Sequence, residues 1–200
     1  MTTAQTEIPA KERILETAQR LFYRNGVHAT GVDKLIAEAG VTKVTFYRHF
    51  PSKDRLIEAF LERRHKTWIE WFKKTIEDAR KAQSARERLN SPLTPVLHAA
   101  KDLMHSSTFR GCAFANTVAE VGMTLQTVLE LATQHKKELS EIIESLLPIS
   151  PGSPKLAWAA TLALDGAIVN ALTGGLSGDV ALGGLETLLS ALDKATKSEN

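Results

Sequence analysis

The chain has 200 residues, 43% of them hydrophobic and 24% charged, with a formal net charge of +2 and one cysteine. This suffices for one domain, or for a small domain joined to a larger one, and excludes a disordered, collagen-like or disulfide-stapled chain. There is no basic and apolar leader and no unbroken apolar stretch of about 20 residues, so a cytoplasmic protein with no membrane association is expected. The most apolar stretch, 156–176, still contains Asp165 and Asn170 and closes on Gly174-Gly175. The small net charge hides an asymmetry. Residues 1–90 hold 18 of the 25 basic residues against 12 of the 23 acids, a formal +6, which leaves −4 for the remainder. A basic part joined to a mildly acidic one suggests that the first meets a polyanion and the second meets something else.

Apolar residues recur at steps of three and four almost everywhere, which predicts an all-α protein of about nine helices. Ile14, Leu15, Ala18, Leu21 and Phe22 form the first stripe, and Asn25-Gly26 supplies its stop. Thr30 to Asp33 has capping-box spacing before a second helix with Val32, Leu35, Ile36 and Ala39 inward. Gly40 breaks it, and Thr42 caps a short third helix held down by Phe46 and Phe50. Pro51-Ser52 leads into a long fourth helix to about Ala82. Ser91 and Pro92 are expected to start a helix running to about Ser106. Further helices are expected over 112–121, 125–147, 155–173 and 180–194, with a loop over 148–154. The expected divisions are a tail over 1–8, a first domain over 9–54 and a larger helical domain over 55–200.

Two short helices joined by a glycine-containing turn and braced by a preceding helix have the layout of a DNA-binding helix-turn-helix. A major groove about 12 Å wide admits one helix whose outer face is polar and whose inner face is anchored. The segment from Thr42 to Phe50 meets both conditions. Thr42, Lys43, Val44, Thr45, Tyr47, Arg48 and His49 offer hydroxyls, charge, a methyl pair and an aromatic edge, while Lys53 and Thr30 are placed to reach phosphates.

The run from Lys11 to Leu61 resembles the N-terminal domain of the TetR/AcrR family of bacterial transcriptional regulators. The resemblance rests on several parts in order: Leu21-Phe22, Asn25-Gly26, Thr30, Ala39-Gly40-Val41, Thr45-Phe46-Tyr47, His49-Phe50 and Ser52-Lys53. It covers about 50 residues. It implies a double-stranded DNA operator read by Thr42, Lys43, Val44, Thr45, Tyr47 and His49, with Tyr47, Thr30 and Lys53 mainly on phosphates. Val44 stands where the family often has glycine, Ile36 where it often has a small residue, and Phe46 where it often has leucine. The resemblance also implies a homodimer through the last two helices, a small-molecule effector in the larger domain, and release of the operator when that effector binds.

The residues of the second part are compatible with those roles. Ala159, Ala163, Gly166, Ala167 and Asn170 line one side of the penultimate helix, and Leu182, Leu185, Leu188, Leu189 and Leu192 form a stripe on the last. Two reading helices about 34 to 36 Å apart can read a palindrome, which makes physical sense of a dimer. Cys112, Asn116 and Glu120 are spaced to share one helix face, and the segment holding them resembles a cavity-lining stretch of one branch of the family. Trp68, Phe72, Met104, Phe109, Met123 and Trp158 are candidates for an apolar wall, each with core packing as the plain alternative. Asp165, alone in an apolar helix, needs a partner: ligand, dimer contact or solvent. Cys112, near Arg110 and a helix start, also raises thiol-based redox or electrophile sensing, although a lone cysteine has no resolving partner.

No phosphate loop, HExxH, GxSxG or paired metal-ligand cysteines occur, so neither enzyme activity nor a cofactor or metal is expected. His98 and His105, seven apart, could share a helix face but are weak metal evidence. An architectural DNA binder would be more uniformly basic, and an activator is not distinguished from a repressor.

Overall fold

The structure is a computed structural model that describes residues 8–172 and 178–198. Most of the expected tail, together with Thr173 and the Gly174-Gly175 break, lies outside the described residues. The described chain is all-α: α1 (Ala10–Asn25), α2 (Val32–Ala39), α3 (Lys43–His49), α4 (Lys53–Ala82), α5 (Ala85–Asn90), α6 (Thr94–Met104), α7 (Ala113–Val121), α8 (Gln126–Glu144), α9 (Ser153–Asn170) and α10 (Gly178–Ser198). It divides into two compact units. The first holds the described residues up to Arg64 together with Ala113–Ala132, and the second holds His65–Cys112 and the described residues from Thr133 onward. The helices α4 and α8 therefore each contribute to both.

In the first unit α1, α2 and α3 pack on one another through Ile14, Ala18, Leu21, Phe22, Leu35, Ala39 and Phe46, all buried, with Leu56, Ile57, Phe60 and Leu61 of α4 also in the interior. Burying each large side chain contributes about 1.5–3 kcal/mol, so the short α3 is held chiefly by Phe46, with Phe50 buried just after it, rather than by helix propensity. Gly26 ends α1 at φ +86°, its N–H returning to the Phe22 carbonyl at 2.9 Å. At the turn after α2, Gly40 takes the left-handed conformation, φ +62°, that lets the backbone reverse into Thr42.

Three start signals differ from expectation. The cap of α2 is Gly31, with no side-chain bond, because the Thr30 hydroxyl turns inward to the Gly26 carbonyl at 2.7 Å. The helix beyond the expected nine, α5, is a six-residue segment started by a capping box in which Ser84 and Glu87 each hold the other's backbone N–H. It has no buried residue, so no apolar period announced it. Ser91 and Pro92 do not open α6. Ser91 instead follows α5, its N–H on the Glu87 carbonyl, and the proline in the first turn of α6 is Pro95.

The second unit is built on Phe72 and Ile76 of α4, Val96 and Ala100 of α6, Leu139 and Ile143 of α8, Ala160 and Leu164 of α9, and Leu182, Leu185 and Leu189 of α10. The leucine stripe expected on the dimer face is thus largely interior. Leu182, Leu185 and Leu189 are buried in their own subunit, as is Ala167, because a helix laid against α9 and α6 must give those neighbours an apolar side.

Candidate nucleic-acid interface

The seven residues of α3 divide cleanly. Phe46 is fully buried, with the edge of Tyr47 at 5.3 Å and the ring of Phe50 at 6.5 Å. Thr42, Lys43, Val44, Tyr47 and Arg48 are exposed, Val44 at 69%, while Thr45 and His49 are half-buried. Thr42 is the N-cap. Its oxygen accepts the Thr45 N–H at 3.1 Å and lies 2.9 Å from the Thr45 hydroxyl, so the two hydroxyls are paired at the helix start. A valine exposed between a lysine and a threonine makes no contribution to folding that solvent would not oppose; it offers a methyl pair to whatever docks there. Lys53 opens α4, and Ser52 accepts the Arg55 N–H at 3.2 Å to cap that helix.

Thr30 is corrected. Its side chain is fully buried and its hydroxyl donates to the Gly26 carbonyl, so it fastens the turn between α1 and α2 rather than presenting an oxygen to a phosphate. The sequence reading also overlooked the braces that orient α2 and α3. Arg13 donates from Nε to the Ala39 carbonyl at 3.2 Å and from its terminal nitrogens to the carbonyls of Gly40 (3.3 Å) and Ile8 (2.9 Å). One guanidinium thereby caps the C-terminal end of α2, where the carbonyls carry partial negative charge. Arg20 pairs with Glu38 at 2.6 Å, Arg63 of α4 pairs with Glu12, and the Arg64 guanidinium lies 4.4 Å above the Tyr23 ring.

The residues expected to face an effector fall into two groups. Trp68, Met104, Phe109 and Cys112 pack, partly buried, against the core of the second unit, and Phe72 belongs to that core. Trp68 stacks on Phe72 at 4.9 Å and meets the buried His135 edge-on at 5.0 Å. The His135 Nδ1 lies 3.2 Å from the Nδ1 of His65, whose Nε2 is 3.1 Å from Glu138. Lys73, 2.8 Å away, holds the Glu138 carboxyl below its usual range, with His65 adding to the effect against the cost of burial. This polar centre among aromatics went unnoticed in the sequence, where His65, His135 and Glu138 are 70 residues and more apart or on different turns. Asp165 forms an ion pair with Lys136, both half-buried.

Asn116, Glu120 and Met123 belong to the first unit. Met123 is fully exposed in the turn after α7 and lines no enclosed wall, and Glu120 binds the backbone of His28. Trp158 is 43% exposed on α9. A groove of about 500 Å³ along α4 and α8 is lined by polar residues, among them Lys73, Glu138 and Glu141, together with Ile142, and by none of the expected effector contacts.

The family model described as bacterial regulatory proteins, tetR family, matches residues 14–60, which span α1 to the early part of α4. SCO4454 from Streptomyces coelicolor, a TetR-family transcriptional regulator of known crystal structure, is 30% identical, with 92% of this chain and 96% of that one covered at a TM-score of 0.74. The chain belongs to the TetR family. A second solved structure, a putative tetr-transcriptional regulator from Streptomyces avermitilis, is also 30% identical over 92% of this chain and 98% of its own, with a TM-score of 0.71. Among curated relatives, the HTH-type transcriptional regulator TtgR of Pseudomonas putida is 39% identical over 57 residues, 28% of this chain and 27% of TtgR. The matched stretch spans only 16% to 40% of the length of such curated relatives.

In this TetR-family chain the last two helices leave an apolar side uncovered. On α9 Trp158, Leu162, Gly166 and Val169 follow one another at steps of four, four and three, all exposed. On α10 Val180, Gly184, Leu188 and Ala191 repeat the same steps, also exposed. Those steps place each set on one helix face. At both Gly166 and Gly184 a Cβ would meet nothing within 4 Å, so each face is open at its middle.

Proposed function

We propose that this chain is a sequence-specific DNA-binding regulator of transcription, acting as a homodimer that represses from a palindromic operator and releases it when a small molecule binds the second unit. The observation that carries the reading is α3: a helix anchored by one buried phenylalanine, with Thr42, Lys43, Val44, Tyr47 and Arg48 exposed on the outer side. Such a helix fits a major groove, where Lys43 and Arg48 can meet guanine edges or phosphates and the Val44 methyls a thymine methyl. Tyr47 and Lys53 are assigned to phosphates.

Dimerisation is supported by the matched apolar faces of α9 and α10. An exposed apolar side extending along two helices is what a subunit interface requires, and one short reading helix makes too few contacts to act alone. The effector assignment rests on Trp68, Phe72, Met104, Phe109 and Cys112 gathered at one core, with His65, His135 and Glu138 as the polar groups that fix orientation. Release requires that the ligand prefer the conformation that binds DNA less well, and DNA must then weaken ligand binding by the same factor.

The test is fluorescence anisotropy on the duplex lying upstream of the chain's own gene and on a scrambled duplex, at one near-physiological salt concentration. Specific regulation predicts a preference of about a thousandfold or more. Equal weak binding to both would overturn it in favour of a non-specific binder.

A further inference from the structure

Glu120 lies on α7, 92 residues from His28, yet the two are joined twice. The Glu120 carboxylate accepts the His28 backbone N–H at 2.7 Å, and the Glu120 carbonyl oxygen is 2.8 Å from His28 Nε2. A carbonyl only accepts, so the ring carries hydrogen on Nε2, and His28 is the donor in both contacts. The turn also fits closely around the carboxylate. A Cβ on Gly26 would stand 2.7 Å from one Glu120 oxygen and 3.0 Å from the other, and the +86° φ of Gly26 independently favours glycine. From that turn the path to α2 is short: the Gly26 carbonyl accepts the Thr30 hydroxyl at 2.7 Å, and Gly31, the next residue, caps α2. All of these groups belong to one unit, and the chain enters that unit from the other at Ala113, the first residue of α7.

We propose that Glu120 is a positioning residue: through Gly26 and His28 it holds the turn between α1 and α2, and with it α2 and α3, in the arrangement that reads the operator. This rests on the DNA-binding reading above. The carboxylate is a charge-assisted acceptor for the turn, stronger than a neutral one, and α7 begins at one of the three points, with those inside α4 and α8, where the chain passes between the units. A ligand that displaces α7 then acts on the reading helices by loosening this contact. The assignment differs from a cavity-facing role, in which Glu120 would meet the effector itself.

The experiment compares wild type with Glu120→Ala and Glu120→Gln, using backbone amide exchange and affinity for the duplex that the wild type selects from a random library. Glutamine keeps an oxygen for the His28 N–H and alanine does not. The proposal expects exchange at His28 and through α2 to rise about tenfold in Glu120→Ala, with α6 and α10 unchanged, and operator affinity to fall about fivefold or more. Glu120→Gln should restore both to within about twofold. Wild-type exchange in Glu120→Ala, faster exchange with unchanged operator affinity, or equal failure of both variants would overturn it. If Glu120→Ala does not fold, His28→Ala removes the ring bond alone and is expected to give about a twofold rise in exchange at the turn; no rise overturns the proposal. Should the wild type select no duplex, the DNA-binding reading fails, while the exchange comparison still judges the contact.

Discussion

The Asp193 carboxylate of α10 accepts the backbone N–H of Leu93, 100 residues earlier, at 3.1 Å, and thereby holds the entry to α6. Asp193 is buried, and burial pushes its carboxyl up to about 6, against the opposing pull of the Leu93 N–H and of Lys197. The folded protein therefore binds this proton more tightly than the unfolded chain. Stability from this group is complete below the ordinary carboxyl range, falls as pH rises from about 4 to about 6, and above that carries the full penalty of a buried carboxylate. Asp193→Asn retains an acceptor oxygen without the charge. It should match the wild type near pH 3.5 and exceed it by about 1–3 kcal/mol at pH 7.5, read from urea midpoints at the two pH values.

Thr30 supplies a test of a structural role against a DNA-contacting one. Its hydroxyl is buried on the Gly26 carbonyl, so Thr30→Val keeps the shape and leaves that carbonyl without its partner. The expected cost is about 1–2 kcal/mol of stability, with a fall in operator affinity no larger than that of Glu120→Ala and an unchanged salt dependence of binding, since no phosphate contact is lost. Loss of affinity with unchanged stability would return Thr30 to the DNA surface.

The difference at Thr30 shows where sequence reading ran out. Helices with a strong apolar period were legible, since a stripe such as Ile14, Ala18 and Leu21 has one physical use, and so was the split of α3 into an anchored and an open face. Contacts that depend on bringing distant segments together were not. A buried threonine and an exposed one look alike in sequence, and nothing local tells that Glu120 meets His28 or that His65 meets His135. The short α5 left only its Ser84-Glu87 capping signature. The leucines of α10 were legible as an apolar stripe but not as to which neighbour they face, because packing within a subunit and between subunits asks for the same residues.

Lys43 and Tyr47 separate charge from docking. Both are exposed on α3, and Tyr47 touches the interior only through the edge-on contact with Phe46 at 5.3 Å. Lys43→Ala should lower operator affinity and, if Lys43 meets a phosphate, reduce the slope of log affinity against log salt by about 1. Tyr47→Ala should weaken binding to all duplexes by about tenfold, with a melting temperature within a few degrees of wild type. Anisotropy titrations at several salt concentrations read both. Unchanged binding in the two variants would place the DNA surface elsewhere.

The open sides of α9 and α10 make the dimer testable without DNA. Leu162 is 67% exposed and Leu188 53% exposed, each at the middle of a face that includes a glycine with clear space above it. Neither takes part in the core, so a charge at either position costs the isolated subunit little, whereas two carboxylates brought together across a symmetric contact are desolvated and repel. Leu162→Glu with Leu188→Glu is therefore expected to give a folded monomer by light scattering, with helicity unchanged. Operator affinity should then fall by about a hundredfold or more, because a monomer engages one half-site at a time, while affinity for an isolated half-site stays within about twofold. A double variant that remains a dimer would move the interface to another face of the second unit and leave Trp158, Leu162 and Leu188 exposed for a different reason.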